Sequence, residues 1–219
     1  MRYLTSIVLI LILTTFSCKN ESSQKLTYTE KIAQANGIDS WDKINELSFT
    51  FNVDRDTLHF ERHWIWRPKT GEVTMIMNND TVSYNREAVD EASLKADKAF
   101  INDTYWLLAP FKLVWDEGFT QDSIIRAEAP ISKDSLNKLT ILYDNKVGYT
   151  PGDAYDFYVN DEYMIQEWVY RQGNSQTDCM MTTWEDYKKQ GGINFATMHS
   201  DETGKFKLYF TNLNVQRGN

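Results

Sequence analysis

Three groups of residues have the types and spacing to do chemistry. "LHFERHWIWR" places His59 and His63 four apart with Glu61 between them. On a helix that spacing turns two imidazoles to one face, but the strong zinc-binding form, HExxH, is absent. On a strand, residues 59, 61 and 63 share one face and read as a solvated surface opposite Trp64 and Trp66. Asp54 and Asp56 in "DRD", and Asp153 and Asp156 in "PGDAYD", are carboxylate pairs of the kind glycoside hydrolysis uses. Both stretches are also turn sequences, because Asp hydrogen-bonds its neighbouring backbone. Cys179, in "TDCMMTTW", reads as a small buried residue in a strand. A thiol nucleophile would need a base, and none of the three histidines lies near it in sequence. The chain has no G-x-S-x-G, no glycine-rich phosphate loop and no Cys-x-x-Cys. It reads as a non-catalytic protein without metal or cofactor.

The elements that position these residues are mostly strands. "TYTEKIAQANG" predicts a helix from about Tyr28 to Ala35, stopped at Asn36-Gly37, with a short turn to follow. In "LSFTFNV", Leu47, Phe49, Phe51 and Val53 alternate with polar residues, as in a half-buried strand. The next strand puts Leu58, Phe60, Arg62, Trp64 and Trp66 on one face. "EVTMIMNNDTVSYN" is a hairpin folded at Asn78-Asn79-Asp80. From about Arg86 to Leu108 the spacing becomes helical, and Pro110 must end or kink that helix. "FKLVWD" then regains strand character. The remainder is strand after strand, with turns at Asn160-Asp161-Glu162, Arg171-Gln172-Gly173, Gln190-Gly191-Gly192 and Glu202-Thr203-Gly204. The expected class is α+β. One large twisted antiparallel sheet, curved as a half-open barrel, follows an N-terminal helix, and inserted central helices cover its concave face.

Arg62 is the oddity in this pattern. It falls between Phe60 and Trp64 on the apolar face, where a charge must be paired or sit at a cavity mouth. The readings are a structural ion pair, an exposed edge position, and a contact with an anion or head group at the cavity entrance.

The first twenty residues carry a positive Arg2, the apolar run "IVLILIL" and the small-residue stretch "TTFSC". The apolar run is shorter than the roughly 20 residues a spanning helix needs. This layout resembles a bacterial lipoprotein signal, with Thr15 and Phe16 departing from its usual form. The resemblance implies that Cys18 is lipidated and anchors the chain to a membrane. Lys19, where inner-membrane lipoproteins often carry Asp, implies the outer membrane. Residues 1–17 are then the signal peptide, 18–27 the lipidated cysteine and a polar tether, and 28–219 a single domain. Removing the signal leaves 219 − 17 = 202 residues, enough for one domain of ordinary size. The formal net charge of −8 argues against a nucleic-acid partner.

Beyond the signal, "SWDKINELSFTFNV" leading into "RHWIWRPKTGEV", the central "NDTYWLLAPFKL", and "TTWEDYKKQGGINFATMHS" resemble the LolA/LolB-like lipoprotein-carrier superfamily. The resemblance runs from about Asn36 to Val215, with Ala196 where Pro is common. It implies a half-open barrel with a helical lid over a hydrophobic cavity, and no catalytic motif comes with it. Strand alternation and this resemblance give the candidate ligand site: Phe49, Phe51, Phe60, Arg62, Trp64, Trp66, Met75 and Met77 on the sheet, with Trp106 and Leu108 on the helix. The expected ligand is a lipid, an acyl chain or another hydrophobic molecule. The seven Trp, twelve Tyr and eleven Phe leave two alternatives open: surface glycan binding on exposed aromatic platforms, and a packed envelope scaffold with a protein partner.

Overall fold

The computed structural model describes residues 25–144, 151–177 and 179–218. Cys18 and the signal segment lie outside the described residues. Helix α1 (Tyr28–Ala35) starts at a capping box: the Thr27 hydroxyl accepts from the Glu30 N–H, and the Glu30 carboxylate accepts from the Thr27 N–H at 2.7 Å. Gly37 ends it with φ 89°. A Cβ there would collide with the Gly192 carbonyl, so only glycine lets α1 sit this close to the hairpin turn at Gly191-Gly192. A 3-10 turn, Ile38–Lys43, then leads into the sheet; no side chain caps it.

Strands β1 (Ile44–Arg55), β2 (Leu58–Arg67), β3 (Glu72–Met77) and β4 (Asp80–Asn85) form an antiparallel meander. Asn78 and Asn79 turn the β3–β4 hairpin with φ 50° and 69°, a conformation that Asn tolerates. Register pairs Leu47 with Trp66, Phe49 with Trp64, and Phe51 with Arg62. Trp64 in turn faces Met75. The period-two pattern therefore does build one continuous inner face.

After helix α2 (Leu94–Trp115) come β5 (Phe119–Gln121), β6 (Ile125–Glu128), β7 (Ser135–Tyr143), β8 (Ala154–Val159), β9 (Ile165–Arg171), β10 (Met180–Thr183), β11 (Glu185–Gln190), β12 (Ile193–Ser200) and β13 (Phe206–Arg217). They are divided between two sheets rather than one. The first runs β11-β12-β13-β1-β2-β3-β4 and the second β10-β9-β8-β7-β5, with β6 also paired to β7. The chain crosses from the second sheet to the first at Trp184, between β10 and β11. At the far side β4 and β5 remain edges, so the barrel stays half open.

Helix α2 fills the opening. Phe100 packs on Trp64 with ring centroids 5.3 Å apart, and Trp106 on Trp168 at 4.3 Å, so the helix touches both sheets. Contrary to the sequence reading, "FKLVW" is helical, not a strand. Pro110 lacks the N–H that would satisfy the Trp106 carbonyl, and the helix bends at Leu108 (φ −121°, ψ 15°) but continues. Phe111 and Trp115 pack on Trp41 at 5.8 and 4.8 Å, and that tertiary burial overrides local preference. No helix among the described residues is long and apolar enough to cross a membrane.

Candidate functional site

The groups that opened the sequence reading do not assemble into a reactive centre. His59 hydrogen-bonds Asp54 at 2.6 Å, which raises its pKa. His63 is bonded to Thr50 at 3.0 Å. Asp153 accepts from the Tyr170 hydroxyl and the Gly173 N–H, both at 2.7 Å. Asp156 is held by Thr140, Lys138 and Arg171. Each carboxylate thus ties strands or turns together. Cys179 is half-buried just before β10 rather than inside it. Among the described residues, no three His, Cys, Asp or Glu side chains are grouped to hold a metal ion.

What the fold does build is a cavity of about 1110 Å3 between α2 and the two sheets. That is slightly above the usual range for small-molecule sites, roughly 300–1,000 Å3. Its first wall is the inner face of β1 and β2 with Phe51, Val53 and Phe60, extended by Phe206 and Leu208 of β13. Helix α2 supplies Ile101, Tyr105 and Trp106. The floor comes from the second sheet: Tyr143, Tyr155, Trp168 and Tyr170, with Met180 at the edge. These rings stack as a continuous surface, Tyr105 on Tyr155 at 4.9 Å and Tyr155 on Trp168 at 5.3 Å. Burial pushes the Tyr105 hydroxyl far above its ordinary pKa, and the Tyr143 hydroxyl also upward. Both are neutral donors: Tyr143 donates to Asp116 at 2.8 Å.

One buried polar centre joins the first sheet to α2. Asp103 accepts from Arg62 Nε and Nη2 at 2.9 and 2.8 Å, from Trp64 Nε1 at 2.8 Å, and from Asn102 Nδ2 at 3.0 Å. Burial pushes the Asp103 carboxyl up; Arg62 opposes this, and four N–H donors suit only the carboxylate form. Arg62 is therefore committed to the structural ion pair, while its outer edge still reaches the cavity.

No family model matches the sequence, and no curated protein matches it. Among solved structures, a LolA superfamily protein from Nitrosomonas europaea superposes with a TM-score of 0.51 at 8% identity, over 89% of this chain and 96% of that one. The fold is LolA-like. A DUF1329 family protein from Desulfovibrio piger gives a TM-score of 0.46 at 9% identity, over 88% of this chain and 93% of that one. A domain described as an outer membrane lipoprotein-sorting protein, from Vibrio parahaemolyticus, gives 0.42 at 9%, over 87% and 94%.

Within the LolA-like half-barrel, Phe51, Phe60, Arg62 and Trp106 of the expected site residues line the cavity. The others are not among its lining. Phe49, Trp64 and Leu108 are fully packed in the core, and Trp66 is clasped between Trp41 and Phe100. Met75 packs against that core, and Met77 is half-buried near the end of β3. Sequence reasoning missed the floor. Its signal was the alternation of Tyr155 with Phe157 in "AYDFYV" and of Trp168 with Tyr170 in "QEWVYR". Among the described residues Phe60 is the only exposed aromatic, so the rings that surface stacking on a glycan would need are turned inward.

Proposed function

We propose that this chain is a non-catalytic binding protein that takes a lipid, an acyl chain or another hydrophobic ligand into the cavity beneath α2, while a lipid on Cys18 tethers it to the outer membrane. The observation that carries the reading is a large space walled by Tyr, Trp, Phe and Met, which a packed scaffold would have filled. Met adapts to irregular shapes and aromatic rings supply broad apolar contact. The LolA-like architecture supports the same reading.

The test is a fluorescence titration. Trp106, Trp115 and Trp168 line the cavity, so entry of cis-parinaric acid should quench Trp emission and transfer energy to the probe, saturating at micromolar concentration. Met180 is half-buried at the cavity edge, where a charge can stay hydrated. Met180→Glu should weaken uptake at least tenfold with an unchanged circular dichroism spectrum. No saturable uptake by the wild-type chain would refute the reading.

The tether has its own test. Cys18→Ala should abolish incorporation of labelled palmitate and release the protein from the outer-membrane fraction, because stable attachment needs acyl chains. A variant that is still labelled and still sediments with that membrane would overturn the anchor.

A further inference from the structure

Charge is distributed unevenly along the cavity. Register places Val53 opposite Phe60 and Arg55 opposite Leu58, so Arg55 and Arg62 flank an apolar step on one face of the sheet. The Arg62 guanidinium lies 4.7 Å from the Phe60 ring centroid and 5.6 Å from that of Phe51. Lys98 and Asn102 are one turn apart on α2 and line the same space. Arg86 reaches it from just beyond β4. Arg55, Phe60, Arg86, Lys98 and Asn102 are exposed, whereas Tyr155 and Trp168 are buried. The cavity therefore opens to solvent at a mouth lined by these residues.

Two carboxylates stand behind the mouth. Asp103 holds Arg62, and Asp97 holds Arg86 at 3.1 Å. The charged side chains that line the cavity here, Arg55, Arg62, Arg86 and Lys98, are all cationic, in a chain whose net charge is −8. The far end has Lys112 against Asp116 and Glu117, 1 − 2 = −1. Lys98 and Lys112 are fourteen residues apart, about 20 Å along the helix at 1.5 Å per residue. Arg62 spends Nε and Nη2 on Asp103, which leaves Nη1 uncommitted to that carboxylate. Nη1 can still donate singly to an anion, and carboxylate and phosphate are the acceptors that guanidinium groups favour.

We propose that the ligand is an amphiphile with an anionic head group, carboxylate or phosphate, whose head is drawn to the cationic lining at the mouth, where Arg55, Arg62, Arg86 and Lys98 stand, and whose tail lies along the aromatic floor. This rests on the cavity reading above and adds the chemistry and the orientation of the ligand. The acidic far end disfavours the reverse orientation for an anion, and the cationic mouth disfavours a cationic amphiphile.

The experiment titrates the full chain, kept soluble in a non-ionic amphipathic polymer, with four sixteen-carbon probes: palmitate, hexadecyl phosphate, hexadecanol and hexadecyltrimethylammonium. Displacement of cis-parinaric acid is the readout. Palmitate or hexadecyl phosphate should bind at least tenfold more tightly than hexadecanol, and the ammonium probe more weakly than hexadecanol. The better of the two anions identifies the head group as carboxylate or phosphate. Inorganic phosphate should compete at least a hundredfold more weakly than hexadecyl phosphate; equal competition would mean a plain anion site and overturn the proposal. The double variant Arg55→Glu, Lys98→Glu should reverse the order, so that the ammonium probe exceeds both anions. Should that variant unfold by circular dichroism, Arg55→Gln with Lys98→Gln should bring the anion-to-alcohol ratio towards one. Equal binding of palmitate, hexadecyl phosphate and hexadecanol by the wild type, or a ratio that the variants leave unmoved, defeats the head-group inference and spares the cavity. Failure of all four probes to bind defeats the cavity reading itself.

Discussion

Asp103→Ala is expected to lower the unfolding free energy by about 3–5 kcal/mol, the usual cost of removing one partner from a buried ion pair. The Asp103 side chain is 0% exposed and that of Arg62 19%. Truncation removes the acceptor for Arg62 Nε and Nη2 and for the Trp64 indole N–H. The indole is fully buried and has no route to water, so its loss alone costs about 1–3 kcal/mol. Arg62 can hydrate partly through the cavity mouth, which favours the lower half of the range. Replacing both charges, Asp103→Leu with Arg62→Met, should recover part of the loss, because no uncompensated charge is left behind. The indole N–H stays unpaired in that variant, so recovery should be incomplete. Urea unfolding reads this as a fall in the midpoint at constant slope. A single variant within about 1 kcal/mol of wild type would place the pair in the surface class and remove it as the tie between α2 and the sheet.

This pair also shows how far the sequence could be read. Alternation alone put Arg62 on the apolar face of β2, and that placement demanded a partner. The partner was readable too. Ala96, Phe100, Asp103 and Leu107 follow helical spacing and are all buried on α2, so Asp103 is an acid on an apolar stripe. An acid and a base, each out of place on its own element, point to one another once the helix is known to cover the sheet. The path of α2 beyond Pro110 was not readable in this way. Its continuation depends on Trp41, about seventy residues earlier in the chain, and no local window contains that contact. The division of the strands into two sheets has the same cause, since it is set by long-range pairing such as that of β1 with β13. Whether the inner face is filled or open depends on the summed volumes of residues from both sheets and α2. The side-chain pattern of any one strand does not hold that information, so Phe49 and Trp64 could not be told from Phe51 and Phe60.

Acid should destabilise the wild-type chain more steeply than a His199→Gln variant. His199 lies on β12 at 0% exposure, among Trp106, Trp184 and Phe210 at 5.4, 4.6 and 6.0 Å. Its Nδ1 is 3.2 Å from the Thr183 carbonyl, which fixes the neutral tautomer with the proton on that nitrogen. Nε2 is buried without a hydrogen-bond partner. The Trp106 carbonyl, which Pro110 deprives of its helical N–H, lies toward this ring but out of hydrogen-bonding geometry. Burial pulls the imidazole down from 6.5 to about 3. The unfolded chain therefore takes up a proton that the folded chain refuses. Stability from this group is fully present above pH 6.5 and is lost as pH falls from there toward 3. The slope approaches about 1.4 kcal/mol per pH unit, one proton's worth, and accumulates to about 3 kcal/mol by pH 4. Gln keeps a donor for Thr183 and cannot titrate, so the difference between wild type and variant isolates the histidine from the carboxylates that also titrate in this range. Chemical unfolding of both chains at several pH values between 7 and 4 measures that difference. It should shrink steadily as pH falls, by an amount set by the one proton. Parallel stability curves would mean that His199 takes up a proton while folded, with Nε2 then donating to the Trp106 carbonyl.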